Sequence, residues 1–376
     1  MNNKIMDCNA RNFDADTIAV LKRLPRLLAR EGYTDAYTIY GPLNTRWNYW
    51  QNDLHLLPDN LRTLFKLFLL GIEVPCESLD EIFTGPEIEG LMRLSIFLRG
   101  SVGIHTGNLV LIPAYGYLVF AQRPTVNPMV YFGDDSAALA AHLMPSRGDI
   151  CLDLCAGPGT QSLLCSGSAS HVVAVELNPV AAGHAELNAV MNSLEDKVEV
   201  RIGSLYEAVP GLQFDYICAN PPLLPFPPSL PYPFVGHGGA DGLDITRRIL
   251  KGLSTALKPN GICQIIGSCL GNKAGPLCEE ELQSLAIQCS YKISMTIPSA
   301  IPLEPPSRMF DGLAWTCATS AGLPLDQVIN QFRSHLEEMD ATHLNMFFLV
   351  VSKSETPSFL LTRHYRERRG FWFVTE

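Results

Sequence analysis

The sequence predicts an α/β protein: a mostly parallel sheet of seven strands with helices on both faces, preceded by a smaller helical domain that ends in a β-hairpin. Three observations predict it. After Pro145, short runs rich in Val, Ile and Leu alternate with helix-length stretches, the pattern of strands buried on both faces and joined by right-handed crossovers. Before about residue 125 that alternation is missing, and apolar residues recur at helical spacing instead. A chain of 376 residues, 47% hydrophobic and 18% charged, is also long enough to bury two cores of unequal size.

The elements follow in order. "DADTIAVLKRLPRLLAR" offers acidic caps before a stripe at Leu21, Leu24 and Leu28, with Pro25 placed to kink or shorten the helix. "DNLRTLFKLFLLG" repeats the pattern and stops at a glycine, and "EIEGLMRLSIFLRG" makes a further helix. "NLVLIPAYGYLVFAQ" reads as two strands around a Pro-Ala-Tyr-Gly turn. The strand candidates of the second region are "DICLDL", "HVVAVEL", "VEVRI", "FDYICA" and "GICQIIG", separated by helix candidates such as "PVAAGHAELNAVMN" and "ITRRILKGLSTAL". "YKISMTIPSA" and "NMFFLVVSK" complete the seven as an antiparallel edge, and an insert from about Leu303 to Leu344 between them carries a helix at "LDQVINQFRSHLEEM". The domains expected are therefore residues 1–125, a candidate substrate cap, and 126–376.

Composition narrows the function classes. With 28 basic and 38 acidic residues the net charge is −10, which repels a phosphate backbone at long range and disfavours nucleic acid as a partner without excluding a local basic patch. The opening "MNNKIMDCNARNFDADT" has no apolar segment for export, and no apolar stretch is long enough to cross a bilayer. A cytoplasmic protein without a membrane partner is expected. Eleven cysteines occur, none in a C-x-x-C pair, and Cys151, Cys218 and Cys263 lie inside apolar runs. They read as small buried residues in a reducing compartment, and no metal site is expected.

Ligands of such sheets bind beyond the carboxyl ends of the strands. Asp153 ends the first strand and is followed by a turn, Cys155-Ala156-Gly157-Pro158-Gly159, whose glycines let backbone approach a ligand closely. Glu176 ends the second strand, where a carboxylate can accept hydrogen bonds from both hydroxyls of a ribose. The fourth strand ends in Asn220-Pro221-Pro222, and the prolines hold an amide still at that edge. The turn and acid alone also suit a dinucleotide enzyme; the asparagine is the discriminator.

These motifs, with "ELNPVAAGHAELNAVMN", "GSLYE", "NPPL" and "GGADGLDITRRIL" in that order, resemble the class I S-adenosylmethionine-dependent methyltransferases, and within them the methyltransferase-small group that includes the release-factor glutamine methyltransferases. The resemblance covers about Gly133 to Gly267. It implies a Rossmann-like fold and S-adenosylmethionine as cofactor. It implies that Asp153 and the Cys155 to Gly159 backbone hold the methionine end, that Glu176 binds the ribose, that Leu177 and Asn178 flank the adenine, and that Ser204 and Leu205 stand at its amino group. Asn220 with the Pro221 carbonyl would orient the acceptor, and Pro222 would stiffen them.

Two departures from that family stand out. Cys155 replaces a glycine, which is tolerable at negative φ. Ser204 replaces an acid, although a hydroxyl also accepts a hydrogen bond. Leu223 stands where relatives acting on flat acceptors carry a ring, so the substrate side is expected to draw one from Phe226, Tyr232 or Phe234, with His237 nearby as a loop histidine. The favoured reaction is methyl transfer to nitrogen of a small molecule or a peptide-borne amide. An RNA-modifying enzyme, a non-catalytic S-adenosylmethionine-binding protein and an enzyme consuming S-adenosylmethionine itself are the alternatives. "NTRWNYWQNDLH" reads as aromatic packing, and the basic tail "RHYRERRGFWF" as a solvated turn.

Overall fold

The computed structural model describes residues 13–39, 50–123, 125, 128–231 and 235–364. The basic tail beyond His364 and the start of the aromatic segment at 44–49 lie outside the described residues, as do Tyr232 and Phe234.

The chain opens with α1 (Ala15–Arg30), capped by the Asp14 carboxylate on the Thr17 amide at 2.8 Å, and it passes through Pro25 without ending. Short helices α2 (Tyr33–Ile39), α3 (Trp50–Asp53) and α4 (Asp59–Leu64) follow. A π-helical turn then runs to Leu70 and stops at Gly71, where φ is 66°. Helix α5 (Gly85–Arg93) is shorter than its pattern predicts: the chain leaves it for two small strands, β1 (Leu98–Arg99) and β2 (Ile104–His105). The hairpin is β3 (Leu109–Ala114) and β4 (Tyr117–Gln122). Its turn residues Tyr115 and Gly116 both have positive φ, the twist that a two-residue turn needs.

The second region is α6 (Asp134–Ala140), β5 (Ile150–Leu154), α7 (Thr160–Cys165), β6 (His171–Glu176), α8 (Pro179–Met191), β7 (Val198–Ile202), β8 (Phe214–Ala219), α9 (Asp244–Ala256), β9 (Leu257–Gly271), α10 (Glu279–Cys289), β10 (Tyr291–Pro302), α11 (Arg308–Ala321), α12 (Leu325–Glu338), β11 (His343–Lys353) and β12 (Ser358–Arg363). The sheet has eight strands in the order β12-β10-β11-β9-β8-β5-β6-β7. The five from β7 to β9 are parallel, and β11 runs antiparallel to both β9 and β10. The strand count therefore exceeds the seven expected: "SFLLTR" adds β12, parallel to β10, at the outer edge. The insert holds two helices rather than one.

The helical region is not walled off from the sheet. Its buried residues form one continuous apolar core with Cys151, Ala174 and Leu187 from one side of the sheet. Two asparagines, Asn188 in α8 and Asn192 at its C-terminal cap, four residues apart and so on one face, extend the connection. Asn188 accepts from the Phe120 amide at 2.8 Å and donates to the Phe120 carbonyl at 3.0 Å, and Asn192 does the same for Leu118 at 3.0 and 2.8 Å. Their side chains thus serve the β4 edge as a neighbouring strand would. Asn188 also donates to the Pro158 carbonyl at 2.9 Å, so the turn after β5 and the hairpin share one fully buried residue. Further along the same face of the sheet the insert builds a separate core around Phe310, Phe332 and Leu344, and the other face packs against α9 and α10. Seven of the ten described cysteines are buried and all ten are free thiols. Among the described residues no His, Cys, Asp or Glu cluster suits a metal, and no helix is long and apolar enough to cross a membrane.

Candidate active site

The sheet order dictates where a ligand can lie. Strands β8, β5, β6 and β7 are neighbours, so the residues after their carboxyl ends form a row about 15 Å long at the usual strand spacing. A cleft of about 930 Å³, its open mouth included, follows that row. It is lined by Asn220 and Pro222 after β8, by Cys155, Ala156 and Gly157 after β5, by Glu176, Leu177 and Asn178 after β6, and by Ser204 and Leu205 after β7.

Glu176 is 7% exposed and both its oxygens are fixed by backbone. Oε2 accepts from the Gly157 amide at 2.8 Å and Oε1 from the Asn178 amide at 2.7 Å. The first bond explains part of the glycine turn. Gly157 has φ 55°, a left-handed backbone that glycine adopts without a Cβ penalty. Burial raises the Glu176 pKa, while the Asn178 and Gly157 amides oppose that rise. Each oxygen keeps a lone pair for a further donor. Asn178 caps α8 through the Val180 amide at 3.0 Å and donates to the Met129 carbonyl at 2.8 Å. Ser204 accepts from Arg248 Nη2 at 2.9 Å. Arg248, from α9, lines the cleft as well, so a guanidinium lies beside this serine.

Cys155 departs from expectation in its backbone: φ is 59°, not negative. The turn keeps the conformation that a glycine would take without strain, and the cysteine adopts it at a cost of about 1–2 kcal/mol. Gly159, with φ 80°, does not line the cleft; it starts α7 against Ala185, whose Cβ lies 3.1 Å from where a side chain would begin. Asp153 does not line it either. It lies beneath the turn, 1% exposed, with Oδ2 accepting from the Ser162 hydroxyl at 2.6 Å and Oδ1 facing the Cys218 thiol at 3.7 Å. Burial pushes its pKa up to about 7 despite those bonds.

Asn220 carries the clearest signal. Its Nδ2 donates to Asp135 Oδ2 at 2.9 Å and approaches Ser136 Oγ at 3.3 Å. Its Oδ1 is buried and has no hydrogen-bond partner among the described residues. Such an atom calls for a hydrogen-bond donor that the described residues do not supply.

Of the three rings expected from the loop, Tyr232 and Phe234 lie outside the described residues, and Phe226 is not at the cleft. Phe226 is fully buried in the insert's core, 5.5 Å from Phe332 at a near-perpendicular 80°, and Leu223 is 7% exposed in the same core. The insert draws these residues away from the cleft because its own aromatics complete a core there. Pro221 is buried off the lining, and His237 is exposed, accepting from the Gly239 amide at 3.3 Å. Among the described residues the ring at the cleft is Tyr131, from the segment before α6, and its hydroxyl donates to Asp135 Oδ1 at 2.7 Å. Tyr131, Asp135, Ser136 and Arg248 are thus the residues that motif reading missed. Asp135 and Ser136 lie in α6, ahead of β5, where no local motif marks them.

A family model described as the Methyltransferase small domain matches residues 119–273, a span that holds every element of the cleft. A Methanocaldococcus jannaschii protein provisionally named as a protein N5-glutamine methyltransferase is 29% identical over 185 residues, covering 48% of this chain and 89% of that one. A ribosomal protein uL3 glutamine methyltransferase of Bordetella pertussis is 31% identical, covering 31% of this chain and 43% of that one. A release factor glutamine methyltransferase of Cereibacter sphaeroides is 32% identical, covering 34% and 50%. The chain therefore spans half or less of the latter two relatives. Residues 119–273 thus match the methyltransferase small domain, and with these relatives they identify an S-adenosylmethionine-dependent methyltransferase.

Proposed function

We propose that the protein methylates the side-chain amide nitrogen of a glutamine presented by another protein. The observation that carries this reading is the buried, partnerless Oδ1 of Asn220 in a residue that lines the cleft. The names of the glutamine-methylating relatives are consistent with it. An amide nitrogen is a poor nucleophile because its lone pair is delocalised, so the site must orient it. Asn220 Oδ1 accepts one of its N–H bonds, and Pro222 walls the same end.

S-adenosylmethionine supplies a methyl carbon on a cationic sulfur, whose C–S bond breaks with its electron pair going to sulfur as the N–C bond forms. The residues present fit that group. Glu176 offers two anchored oxygens to vicinal hydroxyls, and Leu177, Ala181, Leu205 and Ile245 give apolar walls on the β7 side for a base. Asn220, two strands from Glu176, sits where the sulfur end would lie. Rigid placement of the two reactants contributes several kcal/mol without covalent help from the chain, and the nitrogen's surplus proton leaves to water.

The test is transfer of labelled methyl from S-adenosylmethionine to a protein fraction freed of nucleic acid, to purified RNA and to a metabolite extract, with peptide mass spectrometry locating the label. Label on glutamine nitrogen is expected. Asn220→Ala should lower the rate by about 10²–10³-fold, the scale for loss of one preorganised hydrogen-bonding group at a reacting centre, while S-adenosylhomocysteine still binds. Label confined to RNA, to metabolites or to other side chains would overturn the reading.

A further inference from the structure

An amide is nearly symmetric in shape, so the motif that ends β8 does not by itself decide whether Asn220 presents its oxygen or its nitrogen to an acceptor. Something else must. The side chain meets two groups from α6, 85 and 84 residues earlier in the chain: Asp135 Oδ2 at 2.9 Å and Ser136 Oγ at 3.3 Å. A carboxylate only accepts hydrogen bonds. It can meet the amide's NH2 and cannot meet its carbonyl.

We propose that Asp135 is a positioning residue for methyl transfer: it holds the Asn220 nitrogen toward α6 and thereby leaves the oxygen for the acceptor, with the Tyr131 hydroxyl holding the carboxylate in place. The proposal rests on the reading of Asn220 as the receiver of the acceptor's N–H. The surroundings of Asp135 are built for this. Tyr131 occupies Oδ1 at 2.7 Å, so Oδ2 is the oxygen left for Asn220. Ser136 is itself fixed: its carbonyl accepts from Gln161 Nε2 at 3.0 Å, which ties the start of α6 to α7. Tyr131 and Ser136 both line the cleft, so the network reaches from its wall to the buried amide. Reversing the amide would set its carbonyl against a carboxylate and bury an unpaired NH2, a cost of about 1–3 kcal/mol or more. The orientation is thus strongly biased before any substrate arrives.

Asp135→Asn separates this role from a merely structural one. Asparagine has the same shape but carries both a donor and an acceptor, so it can satisfy Asn220 in either orientation. Three measurements decide: the rate of label transfer to the protein fraction used above, the affinity for S-adenosylhomocysteine by calorimetry, and the side-chain amide resonances of Asn220 in protein labelled with 15N-asparagine. Those resonances are assigned by their loss in Asn220→Asp. The expected result is a rate lowered about tenfold or more, an unchanged affinity within about twofold, and a shifted Asn220 amide pair. Tyr131→Phe should shift the same resonances in the same direction by less. A wild-type rate with unmoved resonances would overturn the proposal, and so would an affinity and melting temperature that fall in step with the rate. Failure of the underlying reading looks different: Asn220→Ala would then keep its activity whatever Asp135→Asn did to the resonances.

Discussion

The two ends of the cleft are built from different materials. At the Glu176 end the carboxylate is held by the backbone amides of Gly157 and Asn178, groups supplied by any sequence that makes those turns. At the Asn220 end the amide is held by the side chains of Asp135 and Ser136, delivered from a separate helix. Backbone construction makes the Glu176 end robust to substitution around it and sensitive only to the anchored residue. Side-chain construction makes the Asn220 end tunable and easily lost. Under the function proposed above, the difference would suit a site that keeps one cofactor and adjusts its acceptor.

The sharpest way to break the comparison is to replace the anchored acid by its neutral isostere. Glu176→Gln keeps the shape, but one backbone amide must then face the new NH2, donor against donor. One charge-assisted bond is lost and an acceptor for the ligand with it, at about 1.5–3 kcal/mol. The affinity for S-adenosylhomocysteine should fall about 10- to 100-fold by calorimetry. An unchanged affinity would mean that the carboxylate orders the turn and does not meet the ligand.

How much of this was legible follows the same division. The turn after β5, the acid after β6 and the Asn-Pro-Pro after β8 were readable because each sits at a strand end, where a short local pattern fixes its place. Asp135 was not, since its contact with Asn220 spans 85 residues and nothing in "GDDSAALA" marks a partner. Phe226 was misplaced for a related reason: its position depends on Phe332 of the insert, which no loop pattern reveals. Strand β12 was missed because "SFLLTR" has only one half-covered face, with Leu360 59% exposed. Helix α11 was missed because Gly312 and its Thr and Ser residues blur the apolar stripe.

A second test concerns the acid beneath the cleft. Asp153 has its folded pKa raised by burial to about 7. Its ordinary value is about 3.9, so the folded state favours the protonated form. That contribution to stability is full below about pH 4 and is lost as the pH rises through 7, by linkage at most about 4 kcal/mol. In the ligand-free protein the stability lost between pH 5 and pH 8 should be smaller in Asp153→Asn than in the wild type, read from urea melts at the two pH values. The affinity for S-adenosylhomocysteine should change little, because the residue does not line the cleft. A large loss of affinity with an unaltered pH slope would put Asp153 back among the ligand contacts.

The smallest expected effect is at Cys155, and it probes the backbone side of the comparison directly. At φ 59° the cysteine carries about 1–2 kcal/mol of strain that a glycine would not. A glycine would instead lose about 0.5–1 kcal/mol through the greater freedom of its unfolded chain. Cys155→Gly should therefore leave stability unchanged or raise it by up to about 1.5 kcal/mol, with ligand affinity intact. Cys155→Val should do worse than either, because a branched Cβ is least tolerated at positive φ. Equal melting temperatures for the valine and glycine variants would show that the turn relaxes to negative φ when asked. The Gly157 amide would then owe its aim at Glu176 to the carboxylate rather than to the turn.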